Sequence, residues 1–327
     1  RAAGGSEPML VVGRRLLQLA VVFVVVTFFT VFLMSLVPGK PETVVIPFDT
    51  TPGQQLTKDF RAENNLDDPI PVQWAKWAGK FVTGDMGKIY SSSDTTPVSD
   101  GVKDAAPTSI LLILYTITFS LLIAVPLAVW AAYKSGSRID KLLNTIMFGF
   151  ISLPNFAIAL LLSYLLAVRL DLVPAQGYVA PGDGLGEHFK TMVVPVMALS
   201  LGQIAVFMRL LRSDLVATLQ EDFILMAKSK GISNGRVLWR HALRPSSLTL
   251  LTVAGLSVGT LIGGTLVVEF LLGIPGMGKL IGAAIFGRQY VQLQSLVAVI
   301  AISFVLINFF IDFLYTVLDP RIRERTT

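Results

Sequence analysis

The chain has 327 residues, of which 53% are hydrophobic and only 15% charged, whereas a soluble domain carries about 25% charged residues. Its net charge of +5 is spread over short segments between long apolar runs, without the gathered Lys and Arg and interleaved aromatics of a nucleic-acid-tracking surface. Cys is absent and His occurs twice, which excludes disulfides and thiolate metal sites and leaves little material for zinc.

Residues 1–8 read as a remnant ahead of a natural start at Met9 and are set aside. A helix needs about 20 mostly apolar residues to cross a bilayer core. Six stretches meet this: Leu16–Val37, Ser109–Ala132, Leu142–Val168, Met192–Leu211, Leu248–Phe270 and Val291–Leu318. The first follows Arg14 and Arg15, but its apolar run outlasts the core of a signal peptide and no small-x-small site follows, so it reads as an uncleaved span. The expected fold is therefore all-α and integral to the membrane, with six transmembrane helices and both termini on one side.

Short-loop Lys and Arg choose that side. Lys134, Arg138 and Lys141 follow span two; Arg212, Lys228, Lys230, Arg236, Arg240 and Arg244 follow span four; Arg321, Arg323 and Arg325 follow span six. The opposite loops hold Arg169, Lys190, Lys279 and Arg288. Both termini and the loop after span four are thus expected in the cytoplasm. Residues 9–37 form the N-terminal segment and first helix, 38–108 a small extracytoplasmic cap, and 109–327 the core with helices two to six. In the cap, Pro71–Val82 has the apolar spacing of a helix on the membrane surface, with Trp74 and Trp77 as interfacial anchors. Ser91–Thr96 reads as a mobile turn.

The segment 221–244 carries the most informative pattern. Glu221 and Asp222 open a run of helix formers that Lys228 and Lys230 close, the charge order a helix dipole favours, and Gly231 can supply a left-handed cap. Ser233 can cap a second helix through Val237, Leu238, Trp239 and Ala242 toward Arg244 and Pro245, where span five begins. Ile224, Met226 and Ala227 give the first helix an apolar face that fits either a groove on a partner protein or the headgroup layer of the bilayer. The residue pattern alone leaves both open.

Here the sequence resembles a known family. Asp222-Phe-Ile-Leu-Met-Ala-Lys-Ser-Lys-Gly-Ile-Ser, followed by Val237-Leu-Trp-Arg-His-Ala-Leu-Arg, is similar to the ATPase-coupling loop of binding-protein-dependent ABC importer permeases. The dipeptide and oligopeptide branch has Tyr-x-x-Thr-Ala-Arg-Ala-Lys-Gly and then Arg-His-Ala-Leu-Arg. Ala227, Lys230, Gly231, His241, Ala242, Leu243 and Arg244 match; Phe223, Met226, Lys228 and Ser229 depart mildly. Arg14-Arg15-Leu, Asp67-Asp-Pro-Ile-Pro-Val-Gln-Trp, Gly84-Asp-Met-Gly, Pro126, Val268-Glu-Phe, Ile274-Pro-Gly-Met-Gly-Lys-Leu and Asp319-Pro-Arg-Ile-Arg also resemble this branch. The insertion 38–62 is longer than the branch usually has.

The resemblance implies a type I importer fold in a bacterial inner membrane. This chain would pair with a second homologous permease, beneath an extracytoplasmic solute-binding protein, above one or two ABC ATPase subunits or one fused ATPase. Phe223, Ala227, Lys228, Lys230 and Gly231 would meet the ATPase, with His241 and Arg244 bracing the second helix. It also implies that this chain is no enzyme: it has no catalytic residue, metal or cofactor of its own, and ATP and magnesium sit on the partner ATPase. Peptides fit the branch as cargo, although near relatives also move nickel or glutathione.

Several other signals need weighing. Gly273-Ile-Pro-Gly-Met-Gly-Lys-Leu has the spacing of a phosphate-binding loop, but Leu280 stands where Ser or Thr would hold magnesium and no buried strand precedes it, so a re-entrant turn is expected. Gly255, Gly259 and Gly263 share one face of span five and suit close helix packing near a moving interface. Arg209, Glu269 and Asp312 lie toward span ends, with an Arg209–Asp312 tie expected. Asn144, Asn155, Ser200, Gln203 and Asn308 lie deeper, as lining of a water-filled path or as interhelical hydrogen bonds. An ATP-independent secondary transporter or channel would call for midplane charges and inverted similar halves, and neither is present. His188 in an outer loop and His241 in a cytoplasmic one leave no Ser–His pair within a span for intramembrane catalysis.

Overall fold

The computed structural model describes residues 6–36, 58, 60–90 and 95–318, with side chains described between Leu17 and Ile311. Expectations resting on the side chains of Arg14, Arg15, Asp312, Arg321, Arg323 and Arg325, on most of 38–62 and on residues 91–94 fall outside those residues. The chain divides into two compact units, Arg1–Thr108 with Pro275–Phe309 and Ser109–Ile274 with Phe310–Thr327.

In the first unit, α1 (Ser6–Ser35) is followed by α2 (Ile70–Val82), which opens on Pro71 in its first turn, where a missing N–H costs nothing. Trp74 and Trp77, expected as interfacial anchors, are used for packing. Trp77 is buried and stacks on Phe23 of α1 with centroids 5.9 Å apart. Trp74 Nε1 donates to Thr27 Oγ1 at 2.9 Å, and Trp77 Nε1 donates to Ser295 Oγ at 3.0 Å.

Next come β1 (Lys88–Tyr90) and β2 (Thr95–Pro97), antiparallel with Lys88 opposite Pro97 and Tyr90 opposite Thr95. Thr95 and Thr96, expected in a mobile turn, are therefore strand residues. The Gln289 carboxamide holds β1 from the other side, accepting from Tyr90 N at 2.9 Å and donating to Tyr90 O at 2.6 Å. Glu63 accepts from Lys88 Nζ at 2.7 Å and Tyr90 OH at 3.1 Å; the Lys88 bond chiefly holds its carboxyl below the usual carboxylate range, against a smaller opposing effect of burial.

Helix α3 (Val98–Tyr133) starts well before the Ser109 expected for span two. It leads through Ser137, whose hydroxyl caps Asp140 N at 3.3 Å, into α4 (Arg138–Ser152). Span three, expected as one run over Leu142–Val168, is broken. Helix α4 and α5 (Asn155–Leu162, continuing as a π-helix over Ser163–Arg169) are bent by 101°. The cause is local. Leu153 precedes Pro154 and is extended, with φ −96° and ψ 132°, because proline's ring disfavours the α conformation in the residue before it, and Pro154 itself has no N–H to continue the ladder.

Helix α6 (Leu185–Thr218) packs against both, and α7 (Asp222–Ser229) and α8 (Leu243–Leu272) follow. Helix α9 (Met277–Phe286), in the first unit, contains Gly278 and Lys279, so the stretch expected as a re-entrant turn includes a short apolar helix. Helix α10 (Tyr290–Leu318) completes the described chain. Among the described residues, five helices are long and apolar enough to cross a membrane unbroken, and six if the bent pair counts as one span.

The core of the second unit is built on α6. Phe207, Met208, Leu211 and Leu215 are fully buried and cluster with Ala124, Ala128, Ala131 and Ala132 of α3, whose small side chains let helix backbones approach. His188, expected in a loop, lies in the first turn of α6, fully buried. Its Nδ1 is 2.6 Å from Val179 O and its Nε2 3.2 Å from Tyr115 OH, so it fastens the connection before α6.

Candidate functional site

The Gly231 corner forms from local rules. Glu221 is extended at the N-cap of α7, with Asp222 in the first turn and Lys228 in the last, complementing the helix dipole. Gly231 takes φ +77°. Its N–H bonds Lys228 O at 2.9 Å and the next N–H bonds Ala227 O at 3.3 Å, closing the helix as a left-handed glycine cap does. Ser233 occupies the next N-cap without a side-chain bond. A short turn, Asn234–Arg236, and a π-helix, Val237–Ala242, then run without a break into α8. Pro245 comes just after the π stretch, where the wider register takes up the interruption that proline demands.

Burial sorts the residues of this corner in an unexpected way. Ile224 is 0% and Ala227 7% exposed, and both turn inward, Ile224 clustering with Val237, Leu238 and Ala242 beside Phe207 and Leu211. Ala227, expected on the docking surface, is thus inside the chain: α7 is short, and its one continuous apolar stripe is needed to hold it to the bundle. The outward face carries Phe223 at 46%, Met226 at 58% and Trp239 at 52% exposure. Lys228, Lys230, Gly231 and Arg244 are also exposed, and His241 is half-buried. Large exposed apolar side chains ringed by Lys and Arg are what a protein groove takes up. Two further bonds anchor the base, Thr218 Oγ1 with Ser246 Oγ at 2.9 Å and Ser246 Oγ donating to Ala242 O at 2.9 Å.

Beside this base lies an ion pair that sequence reasoning missed. Arg212 of α6 grips Asp140 of α4 bidentately, Nε to Oδ1 and Nη2 to Oδ2, both at 2.5 Å. Gly136 N donates to Oδ2 and Asn144 Nδ2 to Oδ1, each at 2.9 Å. Asp140 is buried. Arg209 stacks on Phe148 with its guanidinium carbon 3.8 Å from the ring centroid; its expected tie to Asp312 involves a side chain outside the described residues.

The deeper polar residues separate into different roles. Asn144 is committed to Asp140. Ser200 is fully buried and donates to Thr116 O at 3.2 Å. Gln203 and Asn155 are half-buried. A Cβ on Gly202 would stand 3.7 Å from Asn155 Oδ1, and one on Gly264 3.8 Å from Asn155 Nδ2. Asn308 is half-buried in α10, within the other unit. Glu269 is fully buried at the end of α8.

The three glycines of α8 also differ. Gly259 is buried. A Cβ on Gly255 would come 2.8 Å from Ile311 Cγ2, while one on Gly263 would meet nothing within 4 Å. Gly255→Leu is therefore expected to lower stability by about 1–3 kcal/mol through overpacking, while Gly263→Ala leaves it unchanged or raised by up to about 1 kcal/mol through helix propensity. Thermal unfolding of both variants in one detergent measures the contrast, and equal shifts would contradict the close contact at Gly255.

Residues 124–324 match the family described as binding-protein-dependent transport system inner membrane component. Among curated proteins, the chain is 33% identical over 310 residues to the probable peptide ABC transporter permease protein y4tP of Sinorhizobium fredii, covering 95% of this chain and 98% of that one. It is 31% identical over 311 residues to the oligopeptide transport system permease protein AppB of Bacillus subtilis, covering 94% and 98%. It is 32% identical over 312 residues to the nickel import system permease protein NikB of Staphylococcus aureus, covering 94% and 90%.

Proposed function

We infer that this chain, which belongs to the family of binding-protein-dependent transport system inner membrane components, is the permease subunit of an ABC importer of peptides. Peptide cargo is supported by several relatives named for peptide, dipeptide or oligopeptide transport, against one named for nickel import that also aligns over 94% of this chain.

The observation that carries the mechanism is the division of faces on α7. Ile224 and Ala227 lock the helix to the π stretch and α8, so a force on the outward face moves the base of α8 with it. Phe223, Met226, Lys228 and Lys230, with Trp239 beyond the Gly231 corner, meet a groove on the ATPase, and Arg244 and His241 brace the second arm. ATP and magnesium are held by the ATPase subunits, one fused chain or two, and this chain supplies no catalytic group. Closure of the ATPases draws this corner and that of a second, homologous permease together and turns the pair from inward-facing to outward-facing, a rigid-body switch.

The sidedness follows the positive-inside rule. Lys134, Arg138 and Lys141 flank the Asp140 end of α4, which Arg212 ties to the same end of α6 as the corner; that end and both termini face the cytoplasm of a bacterial inner membrane. Residues 38–108 then face outward, toward a solute-binding protein.

Co-expression with an ATPase, a second permease and a binding protein drawn from its genomic neighbours tests this reading. A complex that purifies together and whose ATPase activity rises with binding protein and peptide is expected. A complex stimulated by nickel-loaded and not by peptide-loaded binding protein would overturn the cargo, and a chain that transports alone would overturn the subunit role.

A further inference from the structure

The break between α4 and α5 is expensive in a membrane. A helix interrupted within a span leaves backbone N–H and C=O groups without ladder partners, and lipid offers none; such backbone persists only where protein covers it or it lines a water-filled cavity. Ser152, Leu153 and Pro154 are exposed, uncovered by the other described residues.

The side chain that follows the break is equally unusual. Asn155 makes no hydrogen bond among the described residues, yet it stands where the two longest helices beside it have no side chain at all. Its Oδ1 faces Gly202 of α6 and its Nδ2 faces Gly264 of α8. Gly202 lies at the middle of Leu185–Thr218. The next residue is Gln203, a second half-buried carboxamide with no side-chain hydrogen bond among the described residues, and Gly263 beside Gly264 has open space around it.

The flanking stretches 142–168, 191–208 and 245–268 contain no Asp, Glu, Lys, Arg or His. Beside the break they therefore place the Asn155 and Gln203 carboxamides, each with an acceptor oxygen and a donor nitrogen, on a wall without charged side chains. That chemistry complements a peptide bond, which carries one N–H and one C=O, and it is indifferent to side-chain charge. It gives a transition-metal cation no imidazole, thiolate or carboxylate ligand, and an ionised side chain no counter-charge.

We propose that Asn155 is a specificity residue that hydrogen-bonds the backbone amide of the passing peptide at the Leu153–Pro154 break, between Gly202 and Gly264. This rests on the peptide-importer reading above and deepens it. The glycines leave the carboxamide room on both flanks, and α8 runs without interruption from this point to the Gly231 corner, so the ATPase stroke changes the clearance over Asn155.

Uptake by the complete complex in proteoliposomes tests it, with a short peptide and the same peptide N-methylated along its backbone, which lacks the N–H donors. In the wild type, N-methylation is expected to raise the apparent KM on the order of tenfold, the loss expected when a buried polar group goes unpaired. Asn155→Leu, equal in size but unable to hydrogen-bond, is expected to raise KM for the ordinary peptide by a similar factor and to abolish the difference between the two peptides. Asn155→Gln is expected to restore part of the discrimination.

An Asn155→Leu complex that keeps the wild-type KM and the N-methyl penalty overturns the proposal. So does one that fails to assemble while Asn155→Ala assembles and retains the penalty, since the break would then be a packing surface for the second permease. Wild-type complexes that take up neither peptide but do take up another solute remove the cargo reading itself, a result visible before any variant is compared.

Discussion

Gly231→Pro is expected to abolish peptide-stimulated ATP hydrolysis in the assembled importer while the chain still inserts into the membrane. Proline fixes φ near −65°, and Gly231 stands at +77°, so no rotation of neighbouring bonds reconciles the two. The substitution also removes the N–H that bonds Lys228 O at 2.9 Å. Gly231→Ala separates the two causes: it keeps the N–H and carries only the left-handed penalty of about 1–2 kcal/mol, so a partial loss is expected. The effect is confined to the corner because Ile224, Val237 and Leu238 on either side remain packed in the core.

The companion experiment distinguishes docking from folding at the same corner. Met226→Glu places a charge on an exposed face and is expected to weaken capture of the ATPase at least tenfold with little change in thermal stability. Ala227→Glu forces a carboxylate into a site that is 7% exposed, and is expected to destabilise the corner itself, at a cost of several kcal/mol for an unpaired buried charge. Normal ATPase capture by Met226→Glu would show that the outward face is not the docking surface.

Much of this molecule is legible in its sequence, and what is not has identifiable causes. Apolar run length places every span, because the bilayer imposes a length and the chain has no alternative way to satisfy it. The same count misses the break at Leu153–Pro154, since a run of apolar residues says nothing of the backbone direction; the Leu-Pro pair itself was the available signal. At the Gly231 corner, charge order and glycine predict the turn, but an apolar stripe on a short helix fits a partner or the chain's own bundle equally well, so only the fold assigns Ala227 inward and Met226 outward. Thr95 and Thr96 read as turn residues until Gln289, almost two hundred positions away, is seen to hold the strand beside them. Asn144, read as deep and polar, turns out to serve Asp140. That carboxylate stands 72 positions from the arginine that holds it, and no local pattern connects them.

Removing that carboxylate is expected to destabilise the chain strongly. Asp140→Ala leaves Arg212 on the flank of the bundle without its bidentate partner and strips Gly136 N of its acceptor, while Asn144 Nδ2 keeps only the Asp140 backbone carbonyl. Breaking a buried pair from one side costs about 3–5 kcal/mol, and the lower end applies here because the Arg212 side chain is 23% exposed. Replacing both partners with apolar residues, Asp140→Leu with Arg212→Met, is expected to recover most of the loss, since no charge is then left without a partner. Function discriminates further. The pair joins α4, which ends at the break before Asn155, to α6, which leads into the Gly231 corner, so the rigidity of that joint, rather than its charge, is expected to matter for transport. The double variant should therefore regain peptide-stimulated ATPase activity together with its thermal stability. Recovery of stability without recovery of stimulation would mean that the ion pair itself opens and closes during the transport cycle.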